Sequence, residues 1–325
     1  MTEPRLHATV EIPENAVQAL FSSRGLTVSR ITPISGGIIN TNMRVDCDDA
    51  AYLLRVYHSE RSVEEIEFEL SALRHITDAG LPAQRPVDPA GTGPARIDGH
   101  LCAILTFIEG EVLDEADLSR EVSRQTGRLL GEMQNALAEF TPAGHKERCD
   151  VDFIDSLVEE STRLLREHGD DEFADWIAAT WVRARAPFAA DDLPLGLVHA
   201  DLYPGNTIVR DGMIVGVIDF DDAYYGTQFF DVAIAAMEFA FRGDTELDVY
   251  FVREFLTAYE EVRGGVDDSL LLEAMLLNCF RFFGYTLPLT FQQDEPAAKN
   301  VYAQRIALFA DEAFRRRMLD QLGRC

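Results

Sequence analysis

The chain has 325 residues, 47% of them apolar and 26% charged, a balance that suits a soluble globular fold of one large two-lobed domain or two ordinary ones. Its 29 basic residues face 56 acidic ones, a net charge of −27; such a surface repels a phosphate backbone and excludes nucleic acid as a partner. The first residues lack a basic start followed by an apolar stretch, and charge breaks each apolar run within about a dozen residues, so neither a signal peptide nor a membrane span of roughly 20 residues is expected.

Residues 28–107 read as strand-rich. Positions 42–46 alternate, and Tyr52, Leu54 and Val56 share one face of a further strand at period two. A helix follows, with Ser62 as its N-cap, Glu64 and Glu65 in its first turn, an apolar stripe of Ile66, Leu70, Leu73 and Ile76, and Gly80 and Pro82 as its stop. The Gly- and Pro-rich residues 86–99 form a loop or hairpin, and residues 101–107 another strand. From Asp117 onward helical periodicity dominates, as in Val122, Thr126, Leu129, Met133 and Leu137. One β-rich island interrupts it at residues 197–222, where Asp211-Gly212 is a two-residue hairpin signal. Residues 270–283 are a further apolar helix. The outline is a small β-rich lobe, a connector near residues 107–111, and a larger helical lobe with an embedded hairpin.

The five cysteines, Cys47, Cys102, Cys149, Cys279 and Cys325, are scattered without a C-x-x-C pair. His100 with Cys102, and His145 with Cys149, lack a second cluster to complete a metal site. A reducing cytoplasm and no disulfide framework are expected. Lys146 and Lys299 are the only lysines; an acidic, Lys-poor surface fits either a high-salt habitat or ordinary solubility.

The chemistry lies in His199-Ala200-Asp201-Leu202-Tyr203-Pro204-Gly205-Asn206, a hairpin, then Ile218-Asp219-Phe220-Asp221. Pro204 and Gly205 let the chain turn tightly between Asp201 and Asn206. The hairpin returns Asp219 to the same end, so two carboxylates and an amide oxygen converge. Hard oxygen ligands of this kind suit Mg²⁺ that takes its remaining oxygens from nucleotide phosphates, and a carboxylate left off the metal can accept a proton from a hydroxyl nucleophile. Taken singly these residues are turn formers and a strand cap; jointly they are specific.

This segment resembles the catalytic and metal-binding segments of the aminoglycoside phosphotransferase and choline kinase superfamily. The resemblance implies an α+β, bilobal, protein-kinase-like fold, with a small β-rich N-lobe (residues 1–107) that binds nucleotide and a larger, mainly helical C-lobe (residues 108–325) that holds the catalytic and acceptor sites. It implies Asp201 as catalytic base, Asn206 and Asp219 as metal ligands, His199 as a scaffold of the catalytic loop, and Asp231 as the anchor of that loop, with a helix N-cap as the plainer reading of Asp231. Ile34-Ser35-Gly36-Gly37-Ile38-Ile39-Asn40 is similar to the family's nucleotide-positioning loop, with Ser35, Gly36 and Gly37 near the phosphates. Arg55 stands where protein kinases carry the phosphate-holding lysine, and Arg can clamp phosphate bidentately. Glu69 is the expected helix carboxylate for Arg55, with Glu65 as rival. Thr106 and Ile108, in the connector 106–110, would bind adenine through their backbone. ATP and Mg²⁺ are the implied cofactors. The resemblance covers about residues 30–290 and is strongest over residues 199–231.

Protein kinases carry Asp-Phe-Gly where this chain has Asp219-Phe220-Asp221-Asp222, which favours the small-molecule branch. The segment from Gly216 to Gly226 is similar to type II homoserine kinases, hydroxylysine kinases and bacterial stress-response kinases. The implied partner is a small-molecule hydroxyl acceptor: an amino alcohol, a hydroxy-amino acid or an aminoglycoside. Asp221 and Asp222 could pair with its ammonium group, and Tyr203, Tyr224 and Tyr225 could cage a cation or pack the core. The alternatives are a Ser/Thr protein kinase and a nucleotide-binding regulatory pseudokinase.

Overall fold

The structure, a computed structural model, describes residues 10–34, 40–48, 50–58, 61–89, 92–141, 151–188 and 193–323. Strands β1 (Val28–Ile34), β2 (Thr41–Cys47), β3 (Ala51–Val56), β4 (Ala95–Ile97) and β5 (His100–Thr106) form an antiparallel sheet in the order β1-β2-β3-β5-β4. Because side chains alternate along a strand, Leu54, Val56, Cys102 and Ile104 share one face and pack against Val17 and Phe21 of helix α1 (Glu14–Ser22), which the sequence reading did not anticipate. Leu53, Ala103 and Leu105 join the other core, with Ile66, Leu70 and Leu73 of helix α2 (Val63–Asp78). Arg55 shares the parity of Leu53 and so faces α2 rather than α1. Ser62 caps α2 as expected: its hydroxyl accepts from the Glu65 N–H, and the Glu65 carboxylate accepts from the Ser62 N–H.

Beyond the connector, β6 (Glu111–Val112) joins the three-stranded sheet β6-β8-β9. Here β8 (Thr207–Arg210) and β9 (Met213–Val217) meet at Asp211 and Gly212, with φ of 53° and 75°, the left-handed pair such a two-residue turn requires. A separate antiparallel pair, β7 (Leu195–Val198) and β10 (Tyr224–Thr227), flanks it. The expected β-rich island is therefore two small sheets, with the loop of residues 199–206 between β7 and β8. The Val217 N–H donates to Pro82 O at 2.9 Å, which ties the end of β9 to the segment that follows α2.

Around these sheets lie α3 (Arg120–Ala136), α4 (Val151–Glu167), α5 (Asp171–Ala184), α6 (Phe229–Glu238), the short hairpin β11 (Phe241–Arg242) and β12 (Glu246–Leu247), α7 (Val249–Arg263), α8 (Asp268–Gln292), α9 (Val301–Ala310) and α10 (Glu312–Leu322). The small antiparallel-sheet lobe and the larger helical lobe match the expected α+β bilobal architecture. One helix bears on the expectation that no segment is long and apolar enough to span a membrane. Helix α8, of 25 residues, contains an 18-residue window of mean hydropathy 1.3 and is long and apolar enough to cross a membrane by length and composition. Two thirds of its apolar window is buried against the other helices, so its hydrophobicity is spent on the core. Among the described residues Cys47, Cys102 and Cys279 are free thiols.

Candidate active site

The chain leaves β7 at Val198 and turns through Ala200, whose φ of 71° is left-handed and costs a non-glycine residue on the order of 1–3 kcal/mol unless its surroundings fix it. They do so from both sides. Buried Asp231, in the first turn of α6, accepts the His199 N–H at 2.6 Å and the Ala200 N–H at 2.8 Å. Arg281 of α8 donates from Nη1 to Ala200 O. The N-cap of α6 is Gln228, so Asp231 is not the cap. Burial raises the Asp231 carboxyl to about 6, against the pull of its two amide donors.

Buried His199 lies below this turn. Its Nε2 is 3.0 Å from Ile218 O, and its Nδ1 is 3.3 Å from the Asp201 N–H. A carbonyl only accepts and an amide N–H only donates, so the proton is on Nε2 and the ring is neutral. Burial agrees, holding its pKa down at about 4. The Ile218 N–H donates to Asn206 O at 3.0 Å. Both bonds to Ile218 fasten the loop of residues 199–206 to the residue just before Asp219.

Asp201 accepts from Asn206 Nδ2 at 2.9 Å, and the same nitrogen donates to Asp201 O at 2.8 Å. With its amide nitrogen so engaged, Asn206 has its Oδ1 left for a cation. Burial pushes Asp201 up to about 7; Arg281 opposes this, while Asp222 and Asp219 add to it. Asp219, two residues past β9, has a φ of 66°. Its side chain is 43% exposed, but its Oδ1 is sealed from solvent without a hydrogen bond, 3.1 Å from Arg55 Nη1 in ion-pair contact. Desolvation within the cleft raises this carboxyl to about 6. Among the described residues no three His, Cys, Asp or Glu side chains cluster as a metal site. A metal would therefore rest on Asp219 and the Asn206 oxygen, with further oxygens supplied by a ligand. The hard donors and the orphaned Asp219 Oδ1 fit Mg²⁺.

Across the cleft, buried Arg55 places Nη1 at 3.2 Å from Glu69 Oε1 and 2.6 Å from Asp221 Oδ1, and its Nε donates to Asn42 Oδ1 at 3.3 Å. Burial alone would lower its pKa; Asp221, Asp219 and Glu69 outweigh that and hold it well above the ordinary value. Glu65 is committed to the helix cap, and Glu69, one turn on, is the glutamate that reaches Arg55. Asp221 departs from the expected ammonium partner. Its carboxylate is taken by Arg55 and by Asn40 Nδ2, and its backbone oxygen accepts from Arg61 Nη2. It therefore links β3 to the turn after β9. Asp222 lies 3.6 Å from Arg281 Nη2 and 3.9 Å from Arg61 Nη2.

Ser35, Gly36 and Gly37 lie outside the described residues, between β1 and β2. The Thr106 N–H is spent on Arg85 O at 2.8 Å, which removes it as an adenine donor, and Ile108 packs its side chain over Gly216. Tyr224 is buried beside Val198 and Ala200, in the core, whereas Tyr203 is exposed next to Asp201. The sequence reading missed Asn40, Arg61 and Arg281. Arg281 carried a signal: it is the one charged residue in residues 274–292 of α8, and a charge buried in such a run needs a polar partner.

Residues 30–264 match the APH family, described as the phosphotransferase enzyme family. The homoserine kinase of Methylobacillus glycogenes is 30% identical over 241 residues, 71% of this chain and 70% of that one. The homoserine kinase of Neisseria meningitidis serogroup B (strain MC58) is 28% identical, over 82% and 89% of the two chains. An aminoglycoside phosphotransferase structure from Alicyclobacillus acidocaldarius superposes over 99% of this chain and 100% of that one, with a TM-score of 0.69 at 16% identity, a likeness of fold. The chain belongs to the phosphotransferase enzyme family, as a kinase-like transferase to small-molecule hydroxyl groups built on the bilobal kinase-like fold.

Proposed function

We propose that this enzyme transfers the γ-phosphoryl group of ATP, with Mg²⁺, to the hydroxyl of a small hydroxy-amino acid. Asp219 and the Asn206 side-chain oxygen would hold the metal, which when bound offsets phosphate charge. Asp201 takes the acceptor's hydroxyl proton; its carboxylate is oriented by Asn206, and its loop is held by Asp231, His199 and Arg281. Arg55, braced by Glu69, offers its guanidinium to the α- and β-phosphates. Asn40 bonds Asp221, and the backbone of the connector around Ile108 receives the base. The observation that carries the reading is the meeting of Asp201, Asn206 and Asp219 at two loops joined through Ile218, opposite the Arg55–Glu69 pair. The relatedness to homoserine kinases supports a hydroxy-amino acid over an aminoglycoside or an amino alcohol.

The test is an ATP-consumption screen over hydroxy-amino acids, amino alcohols, sugars, aminoglycosides and nucleosides, with and without Mg²⁺. Metal-dependent turnover of a hydroxy-amino acid is the expected result; phosphorylation of protein alone would overturn it. Asp219→Ala should abolish the Mg²⁺ dependence of nucleotide binding in calorimetry, and an unchanged Mg–ATP affinity rejects its role as a ligand.

A further inference from the structure

Helix α6 begins beside the catalytic loop at Asp231 and ends at Glu238, in a second buried ion pair. Both Glu238 oxygens lie against Arg305 Nη1, at 2.9 and 3.1 Å, with the side chains only 11% and 7% exposed. Arg305 Nε donates to Asp244 O at 2.9 Å, which leaves Nη2 outside both contacts. The guanidinium sits 3.8 Å from the Phe241 ring centre and 5.2 Å from that of Tyr302. Tyr302 stacks on Phe282 at 5.0 Å, Phe282 lies 4.8 Å from the Arg281 guanidinium, and Arg281 holds Ala200 O. A chain of aromatic and cationic contacts thus links the Glu238–Arg305 pair to the residue before Asp201. The Tyr203 and Tyr302 hydroxyls, whose pKa values are raised first by burial, both also feel the charges of Glu238 and Asp201.

Stability does not account for such a pair, because an apolar pair of similar volume is often as stable or more so. The pair presents a fixed dipole in a water-poor setting, where charge discriminates strongly. We propose that Glu238 and Arg305 form the acceptor subsite and read a zwitterion, with the acceptor's ammonium on Glu238 and its carboxylate on Arg305 Nη2. The inference rests on the acceptor class proposed above and deepens it: the enzyme selects an amino acid carrying a side-chain hydroxyl over the corresponding amino alcohol or hydroxy acid. A zwitterion laid antiparallel to the pair meets an opposite charge at each end. An analogue lacking one charge makes only one of these two contacts and forgoes the attraction of the other.

The experiment compares homoserine with 3-aminopropan-1-ol, which lacks the carboxylate, and 4-hydroxybutyrate, which lacks the amine. The wild-type enzyme should favour homoserine by at least about 100-fold in kcat/KM over each, since a site built for a polar group rejects an analogue without it. Arg305→Lys and Arg305→Gln should shrink the preference over 3-aminopropan-1-ol and leave the preference over 4-hydroxybutyrate in place; Glu238→Gln should do the reverse. Equal loss toward all three compounds in every variant would mean that the pair is scaffold only, and equal use of homoserine and 3-aminopropan-1-ol by the wild type would also overturn the proposal. Calorimetric binding of the same compounds with Mg–AMP-PNP present separates the two readings. Homoserine bound with the charge preferences above but not phosphorylated defeats the proposed reaction alone, whereas no selective binding of homoserine defeats the subsite.

Discussion

Asp201 combines two opposing influences: burial, with Asp222 and Asp219, raises its carboxyl to about 7, and Arg281 pulls it down. A base must be ionised to accept a proton, so kcat/KM should rise with pH through about 7 and level off above it. The Arg281 cation favours the carboxylate form of Asp201, so Arg281→Gln should move this limb to higher pH. A role for Arg281 as loop scaffold alone would lower the rate without moving the limb. Asp201→Asn keeps the shape and the Asn206 contact but not the basicity. It should cost about 10²–10⁴-fold in kcat with Mg–nucleotide affinity intact. A profile flat from pH 5.5 to 8.5, or wild-type turnover by Asp201→Asn, rejects the role.

The helical lobe depends on close approach at Gly127, where α3 crosses α7. A Cβ there would lie 2.1 Å from Phe255 O, a backbone atom that moves only if the helix moves. Gly127→Ala should therefore force α3 and α7 apart and cost about 1–3 kcal/mol in urea unfolding, although alanine is the better helix former. An unchanged midpoint would show that the helices yield freely. No sequence pattern marked this glycine, because its requirement comes from a partner 128 positions away. Local signals were more legible. The Ser62 cap, the Asp211-Gly212 turn, the parity of Tyr52, Leu54 and Val56, and the helix 120–136 follow from neighbours within one turn or one hairpin. The Asp201, Asn206 and Asp219 set was legible for the same reason, since one loop and one hairpin bring it together. Asn40 and Arg61 were not, because each reaches the site from an element distant in sequence, and the lone charge of Arg281 in an apolar run signalled a partner without saying which. Helix α1 was missed as a short, weakly patterned segment whose Val17 and Phe21 find their core only against the sheet.

The charge of −27 acts together with carboxyls that the fold itself holds above their ordinary range. Asp201 at about 7, Asp219 at about 6 and Asp231 at about 6 all retain protons that an unfolded chain releases near pH 4; burial pushes Glu69 the same way. Where the native state binds more protons than the unfolded one, stability falls as pH rises. These groups therefore favour the fold most at low pH, and that advantage is lost as pH climbs through the native values, with Asp219 contributing less because its side chain is partly open. His199 acts oppositely, since its native value near 4 lies below that of an unfolded histidine, but an unfolded histidine is already about half deprotonated at about pH 6.5 and the opposing effect fades within about one pH unit above that. From pH 6.5 to 8 the several raised carboxyls outweigh what remains of the single histidine's effect, so the melting temperature of the ligand-free enzyme should fall across that interval. Raising monovalent salt from about 0.1 M to 1 M shrinks the screening length from about 10 Å to about 3 Å and should recover stability by muting the global repulsion. Asp231→Asn would not isolate the pH effect, since it also breaks the loop anchor; Asp201→Asn keeps the loop and should flatten the slope between pH 6.5 and 8. Differential scanning fluorimetry over this pH and salt grid checks both trends. A melting temperature that climbs from pH 6.5 to 8 would mean that the buried acids are ionised in the native state at little cost.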